Sequence, residues 1–380
     1  MRRRILLLLF VFGLASPLFG QDMSNIQIHG FATQALLYSG SNNYLGMYTS
    51  QGSTGWTEAA INIVDQPSDN LRIGIQLHYI RLGIFGGDEP SIDWAMGDYR
   101  VKRWLGIRAG KVKIRWGLYN DTQDADPGYM WALLPESIYS IDDRATTLSQ
   151  LGGELYGDLP LSKRWGSIVY SLYFGDYYYS SSDGLTEGFK EAGINFANTP
   201  GGKTPGVDLR WKTPLKGLLV GASTQRVDAR GTLTNGTFRI APYYSTTGYA
   251  QYDAHKFFLA YQYARTIAHQ DVEITGQPPA LSVSDARTWF VMAGYHLTDK
   301  LEVGAYYSSE LDAAPHDNSD PANFGHDWTI SSRYDFNSYL YGKLEGHFIN
   351  GNVSGFYDFD NPNGLKPRTN LLVAKVGFVF

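Results

Sequence analysis

The chain ends LLVAKVGFVF, and that ending obeys a strict period of two. Side chains on a strand alternate between faces, so Leu372, Ala374, Val376, Phe378 and Phe380 share one side. The same alternation recurs throughout. In NLRIGIQLHY the apolar row is Leu71, Ile73, Ile75, Leu77 and Tyr79, opposed by Arg72, Gly74, Gln76 and His78. In KFFLAYQYA, Phe257, Leu259, Tyr261 and Tyr263 oppose Phe258, Ala260 and Gln262. In RTWFVMAGYHL, Trp289, Val291, Ala293, Tyr295 and Leu297 line up. In KLEVGAYYS, Leu301, Val303, Ala305 and Tyr307 oppose Glu302, Gly304, Tyr306 and Ser308. In YLYGKLEGHF, Leu340, Leu344 and Phe348 oppose Tyr341, Lys343, Glu345 and His347. Such a chain is all-β, and the open choice is which face points inward.

A sandwich would turn the apolar rows inward. Three features favour the opposite, with the apolar rows facing lipid. Aromatics sit near strand ends, as the two girdles of a membrane barrel require. The opposed faces carry charge, glycine and small polar groups, which suits water. The connections also alternate between short and long. Composition agrees, since Tyr (27), Phe (19), Trp (9) and Gly (42) are all plentiful. The pattern predicts sixteen strands near 25–38, 54–65, 70–82, 92–102, 105–115, 147–158, 165–176, 206–213, 217–227, 237–252, 256–267, 286–297, 300–310, 326–335, 338–348 and 368–380. A spanning sheet cannot keep an edge, because each unpaired backbone group in hydrocarbon costs several kcal/mol. The expectation is therefore a closed transmembrane antiparallel β-barrel. Among the prolines after the leader, only Pro242 falls inside a predicted strand, and a bulge is expected there.

The N-terminus reads MRRRILLLLFVFGLASPLFGQ. Three arginines before a short apolar run and small residues are the layout of a secretory signal peptide. Ile5–Leu14 is too short to span a bilayer as a helix. Residues 1–20 are read as the signal peptide and 21–380 as one barrel domain. The chain has no cysteine, which excludes disulfides and cysteine-based metal or nucleophile chemistry.

The charge pattern singles out one region. Arg100, Lys102, Arg103, Arg108, Lys111, Lys113 and Arg115 form a run without an acid. Asp121, Asp124, Asp126, Glu136, Asp142 and Asp143 then follow before the next base, Arg144. The first group covers a tight turn and the fifth strand, and the second lies in the long connection after it. If that third long connection folds into the barrel, a basic wall faces an acidic loop, and a narrow aqueous passage focuses such a field. The wall side of this constriction is Arg108, Lys111, Lys113 and Arg115. The loop side is Asp121, Asp124, Asp126, Glu136, Asp142, Asp143 and Arg144. Ile107 and Ala109 would put Lys111 outward unless the strand slips, so a bulge is expected at Gly110. Arg144 is expected to tether Asp142, Asp143 or Glu136. WALLPESIY is expected to dock the loop through Trp131, Leu133 and Leu134. Arg72, His78, Glu302, Arg333, Lys343, Glu345 and His347 are further lumen-facing candidates.

RAGKVKIRWGLYNDTQD, then LLPESIY and LGGELYGDL, resemble bacterial outer-membrane porins related to the phosphate-selective porins, and IHGFATQALLYS resembles their first strand. The motifs cover residues 28–39 and 108–159. The resemblance implies sixteen strands, an inward third loop and a homotrimer in the bacterial outer membrane, in contact with its lipid and lipopolysaccharide. It implies passive diffusion of small hydrophilic solutes or ions. A phosphate-type anion channel is the alternative, with Arg108, Lys111, Lys113 and Arg115 carried over. The acidic loop departs from that pattern and weakens an anion preference.

No H-E-x-x-H, G-x-S-x-G or EF-hand pattern occurs, so neither a metal nor a cofactor is expected. GGKT at 201–204 lacks the first glycine of a phosphate-binding loop and is placed in a surface loop. A barrel hydrolase would need an outward serine–histidine pair, which the sequence does not single out. The expectation is a non-enzyme without nucleic-acid partners.

Overall fold

A computed structural model describes residues 25–380; the predicted signal peptide lies outside the described residues. The wall has sixteen antiparallel strands: β1 (Ile26–Ser39), β2 (Ser53–Ser68), β3 (Leu71–Leu82), β4 (Ser91–Lys102), β5 (Leu105–Lys113), β6 (Ser149–Ser162), β7 (Gly166–Tyr178), β8 (Gly201–Lys203 and Gly206–Lys212), β9 (Leu218–Leu233), β10 (Gly236–Ala254), β11 (Phe257–Ile274), β12 (Ala280–His296), β13 (Leu301–Asp312), β14 (Phe324–Asp335), β15 (Leu340–Gly351) and β16 (Arg368–Val379). β8 is in two pieces because Thr204–Pro205 interrupts it, and both pieces pair with β7 and β9. GGKT thus lies largely in the wall and not in a surface loop.

β1 pairs with both β2 and β16, which closes the sheet. The C-terminal residue completes the seam: Gly30 and Phe380 exchange two backbone hydrogen bonds of 3.0 Å. A side chain at Gly30 would strike the Phe380 ring, with a Cβ only 2.6 Å from it.

The outer face carries the apolar rows read from the sequence. Leu344 is 53% exposed and Val376 is 54% exposed, while their neighbours Lys343, Glu345 and Lys375 are buried inside. Trp104, Trp165, Trp211, Tyr295 and Phe336 ring the short-turn end, and Tyr38, Tyr178, Tyr244 and Trp328 ring the other. This polarity fits a bilayer around the wall and water within. Replacing Leu344 by arginine is expected to destabilise the barrel by roughly 2–4 kcal/mol, the cost of a charge on the lipid face near mid-bilayer. Urea unfolding in lipid vesicles would measure it.

Three expectations change. Connections do not alternate strictly between short and long. Thr234–Asn235 joins β9 to β10 as a two-residue turn at the long-loop end, because Leu233 pairs with Gly236 and both strands run on past the membrane. Pro242 does lie at a bulge, since the register shifts between Ile240 and Ser245. It is joined by Pro67 and Pro160, which sit where β2 and β6 shift register near their short-turn ends. The missing N–H of proline explains all three positions. Finally, both very long connections hold a helix: the one after β5 ends in the short α1 (Arg144–Thr147), and the one after β7 contains α2 (Gly184–Glu191). Asp183 caps α2 by accepting from the Thr186 N–H at 2.9 Å.

Candidate functional site

Residues 114–148 leave β5 and enter the barrel. Their contacts reach around the inner wall. Leu118 donates its N–H to Gln262 on β11 (3.0 Å), and Gly117 donates to Ser223 on β9 (3.1 Å). Trp116 donates to the Ser245 carbonyl on β10 (3.3 Å). On the far side, Ala132 and Leu133 donate their N–H groups to Glu345 on β15 at 3.0 and 3.1 Å. The segment 131–139 docks as its sequence suggests. Trp131 packs edge-on against Tyr306 with ring centroids 5.1 Å apart, and Leu133 is buried with Leu37, Trp56 and Val373. A second apolar cluster joins Leu118, Tyr119, Met130 and Tyr139 to Phe290 and Met292. Apolar side chains therefore pack the loop against the wall on two sides.

Charge fixes the loop in register with the wall. Asp126 is the centre of one clamp. Lys375 approaches its Oδ1 at 2.5 Å, Lys343 its Oδ2 at 3.0 Å, and the Tyr341 hydroxyl donates to it at 2.6 Å. Lys343 also donates to the Asp126 and Trp131 carbonyls, each at 2.9 Å, and Arg333 reaches the Tyr129 carbonyl at 3.0 Å. Burial raises the Asp126 pKa, but Lys343 and Lys375 outweigh it and hold the carboxyl below its ordinary range. A second clamp holds residues 121–124. Arg115 and Arg210 meet Asp121 at 3.1 and 3.5 Å, and Lys113 meets Asp124 at 2.7 Å. Asp121 is also held low, since Arg210 and Arg115 overcome its burial.

A third clamp involves Arg144. It was expected to tether a neighbouring loop acid. It instead donates to Asp93 on β4 at 2.7 Å and to His78 Nδ1 on β3 at 3.2 Å. Arginine can only donate, so Nδ1 accepts and Nε2 carries the proton that His78 gives to Glu58 at 3.0 Å. The fixed wall carboxylate wins because Asp142 and Asp143 face elsewhere: the Tyr357 and Ser140 hydroxyls donate to Asp142. Glu136 accepts from the Ile141 N–H at 3.1 Å.

The picture of two charge rows facing each other across a gap is therefore corrected. Asp121, Asp124 and Asp126 touch their bases directly. Arg108 does not face the loop at all; it bridges Asp98 (3.0 Å) and Glu154 (2.8 Å) within the wall. The slip at Gly110 is absent too. Gly110 has φ +125°, yet residues 106–113 pair without interruption with β6, and Lys111 stays opposite the outward Leu151. Its ammonium bends to the Ile92 carbonyl at 2.5 Å, where a register shift in β4 frees the carbonyl. A long side chain on the outer face reaches a polar rim in this way. Of the further lumen candidates, His347 lies between Asp327 (2.8 Å) and Glu345 (2.9 Å). Glu302 is 3.7 Å from His296, and Arg72 is exposed opposite Asp98 at the short-turn mouth.

The sequence reading missed Lys375, Glu58, Asp93, Asp208 and Arg210. Lys375, Glu58, Asp208 and Arg210 are inward residues of predicted strands, so the alternation already placed them on the lumen face; Asp93 reaches it only through the register shift in β4. It also missed an outward serine–histidine pair: Ser309 Oγ lies 3.1 Å from His326 Nδ1 on adjacent strands of the lipid-facing wall.

No protein-family model matches the chain, and no curated protein matches it. Solved structures do resemble it. The outer membrane channel DcaP of Acinetobacter baumannii is 9% identical, with 95% of this chain and 99% of that one covered and a TM-score of 0.57. The anion-selective porin from Comamonas acidovorans is 10% identical over 93% of this chain and 99% of that one, with a TM-score of 0.56. OmpT of Vibrio cholerae, an outer membrane protein in a trimer form, is 11% identical over 93% and 99%, with a TM-score of 0.53. The shared fold is the β-barrel of bacterial outer-membrane proteins.

Proposed function

We propose that the chain is a passive channel of the bacterial outer membrane for small hydrophilic solutes and ions, narrowed by residues 114–148. The observation that carries this reading is the loop itself. Ion pairs to β5, β8, β15 and β16 hold it across the lumen, while space beside it stays open. A plain wall would need none of these anchors. The long loops face the exterior and both chain ends face the periplasm, as even strand number and loop length dictate. The constriction residues are Lys113 and Arg115 on the wall with Arg210 beside them, and Asp121, Asp124, Asp126, Glu136, Asp142, Asp143 and Arg144 on the loop. Because Arg108, Arg115 and Arg210 are each paired with carboxylates, a phosphate-specific channel is the weaker reading. A homotrimer is part of the proposal, supported by the trimer form of the Vibrio cholerae protein. Residues 1–20 are proposed as the cleaved export signal.

The test is reconstitution of the mature chain in a planar bilayer. Stepwise conductance is expected, and its absence from well-folded protein would sink the channel. A second reading rests on the Ser309–His326 pair, which could serve an outward hydrolase. No carboxylate or amide orients His326 in the described contacts, so the pair lacks the third group of such a site. Release of fatty acid from phospholipid vesicles, lost in Ser309→Ala, would favour that reading instead.

A further inference from the structure

One cavity of about 300 Å³ lies between the inner loop and the wall of β7–β10. Its lining is chemically one-sided. Trp116, Tyr177, Tyr179 and Tyr243 contribute rings, Asp143 contributes a carboxylate, and no lysine or arginine lines it. Tyr177 and Tyr179 meet nearly edge to face, with centroids 5.6 Å apart, so two ring planes of different orientation border the space. Trp116, Tyr179, Tyr243 and Asp143 are each half-buried, as groups facing an internal space should be.

The charge distribution sharpens this. The acids at 121–126 are matched by wall bases. Asp143 is in no ion pair among the described residues, and Asp142 and Asp183, which act on it electrostatically, are also acids. Burial first, then those two carboxylates, push the Asp143 pKa up, so a bound cation would supply the missing counter-charge and favour the ionised carboxylate. Ring faces carry negative quadrupole potential and attract organic cations, and a nearby carboxylate adds to the attraction.

Building on the channel reading, we propose that this cavity is a binding site for small organic ammonium ions, the class of solute that the channel retains longest. A neutral sugar could donate hydroxyls to Asp143 but would bring it no counter-charge. An anion would find no basic partner.

The experiment is calorimetric titration of the full mature chain, folded in detergent at low salt, with choline chloride, and with glucose and sodium acetate as comparators. Choline is expected to bind and the comparators not to. Asp143→Asn should weaken choline at least about tenfold, consistent with loss of a desolvated charge contact. Tyr243→Leu should weaken it about fivefold, and Tyr243→Phe should stay within about twofold, because the ring face and not the hydroxyl does the binding. Gel mobility of unheated samples controls for folding. If Asp143→Asn does not fold, the leucine and phenylalanine variants decide the matter. Equal binding of glucose, or unchanged affinity in Tyr243→Leu, would overturn the site. Choline binding without conductance would overturn the channel reading and leave the site standing, whereas conductance without choline binding would do the reverse.

Discussion

Asp126→Ala is expected to raise single-channel conductance several-fold while the barrel stays folded. The substitution leaves Lys343 and Lys375, both almost completely buried, without their shared carboxylate. Breaking a buried ion pair from one side costs about 3–5 kcal/mol, because the remaining charge keeps its desolvation cost. Here Lys343 loses its one carboxylate, Lys375 keeps only Glu58 at 3.5 Å, and the Tyr341 hydroxyl loses its acceptor. The wall ladders do not depend on Asp126, so the strain is relieved by undocking the loop. Water then reaches Lys343 and Lys375, and the lumen widens. Double substitution of both lysines by methionine should recover part of the docking, since an apolar replacement removes the stranded charge. Unchanged conductance in Asp126→Ala would mean that the apolar contacts of Trp131 and Leu133 alone hold the loop.

The second large effect is a split response to pH. Asp121 and Asp126 are held below the ordinary carboxylate range. Their contribution to docking is present above the unfolded value near 4 and is lost as pH falls through the depressed values. Glu136, Asp143 and Asp183 are shifted the other way. Burial leads in each; Asp142 reinforces it for Glu136, and Asp142 and Asp183 do so for Asp143. Asp360 in the last long loop is raised to about 6, again mainly by burial. Docking that involves these groups is strongest below the unfolded value and weakens as pH rises through the raised ones, for Asp360 between about 4 and about 6. Hydrogen exchange, corrected for intrinsic rates, should therefore show residues 136–143, 183–191 and 357–361 losing protection from about pH 4 upward. Residues 120–133 should keep theirs over the same range and lose it only in stronger acid. Parallel loss of protection in both arms would contradict the opposite shifts.

These effects trace back to what the sequence could and could not express. All sixteen strands were legible, because lipid outside and water inside impose opposite chemistry on alternate residues. The same alternation had already put Lys343, Glu345 and His347 on the inner face. Partners were another matter. Nothing in the local pattern says that Asp126 meets Lys375, which is 249 positions away. The reach of a loop across a lumen is fixed by barrel diameter and not by neighbouring residues. For Lys111 the reading assumed that a lysine cannot stay on the outer face and invoked a slip at Gly110. A free carbonyl at Ile92 offered a cheaper solution. Arg144 was assigned to its sequence neighbours, but its partner is the wall carboxylate Asp93.

The tall strands have a consequence for how the mouth is approached. A tilted strand crosses hydrocarbon in about 9–11 residues. β10, β11 and β12 have 19, 18 and 17 residues, whereas β13 to β16 have 12 each. The surplus lifts one side of the rim by roughly 15 Å at the usual rise and tilt. The opening is thus a half-shielded porch. Small solutes lose part of their capture angle on the raised side, while bulky macromolecules are held away from the entrance there and can settle only from the lower side.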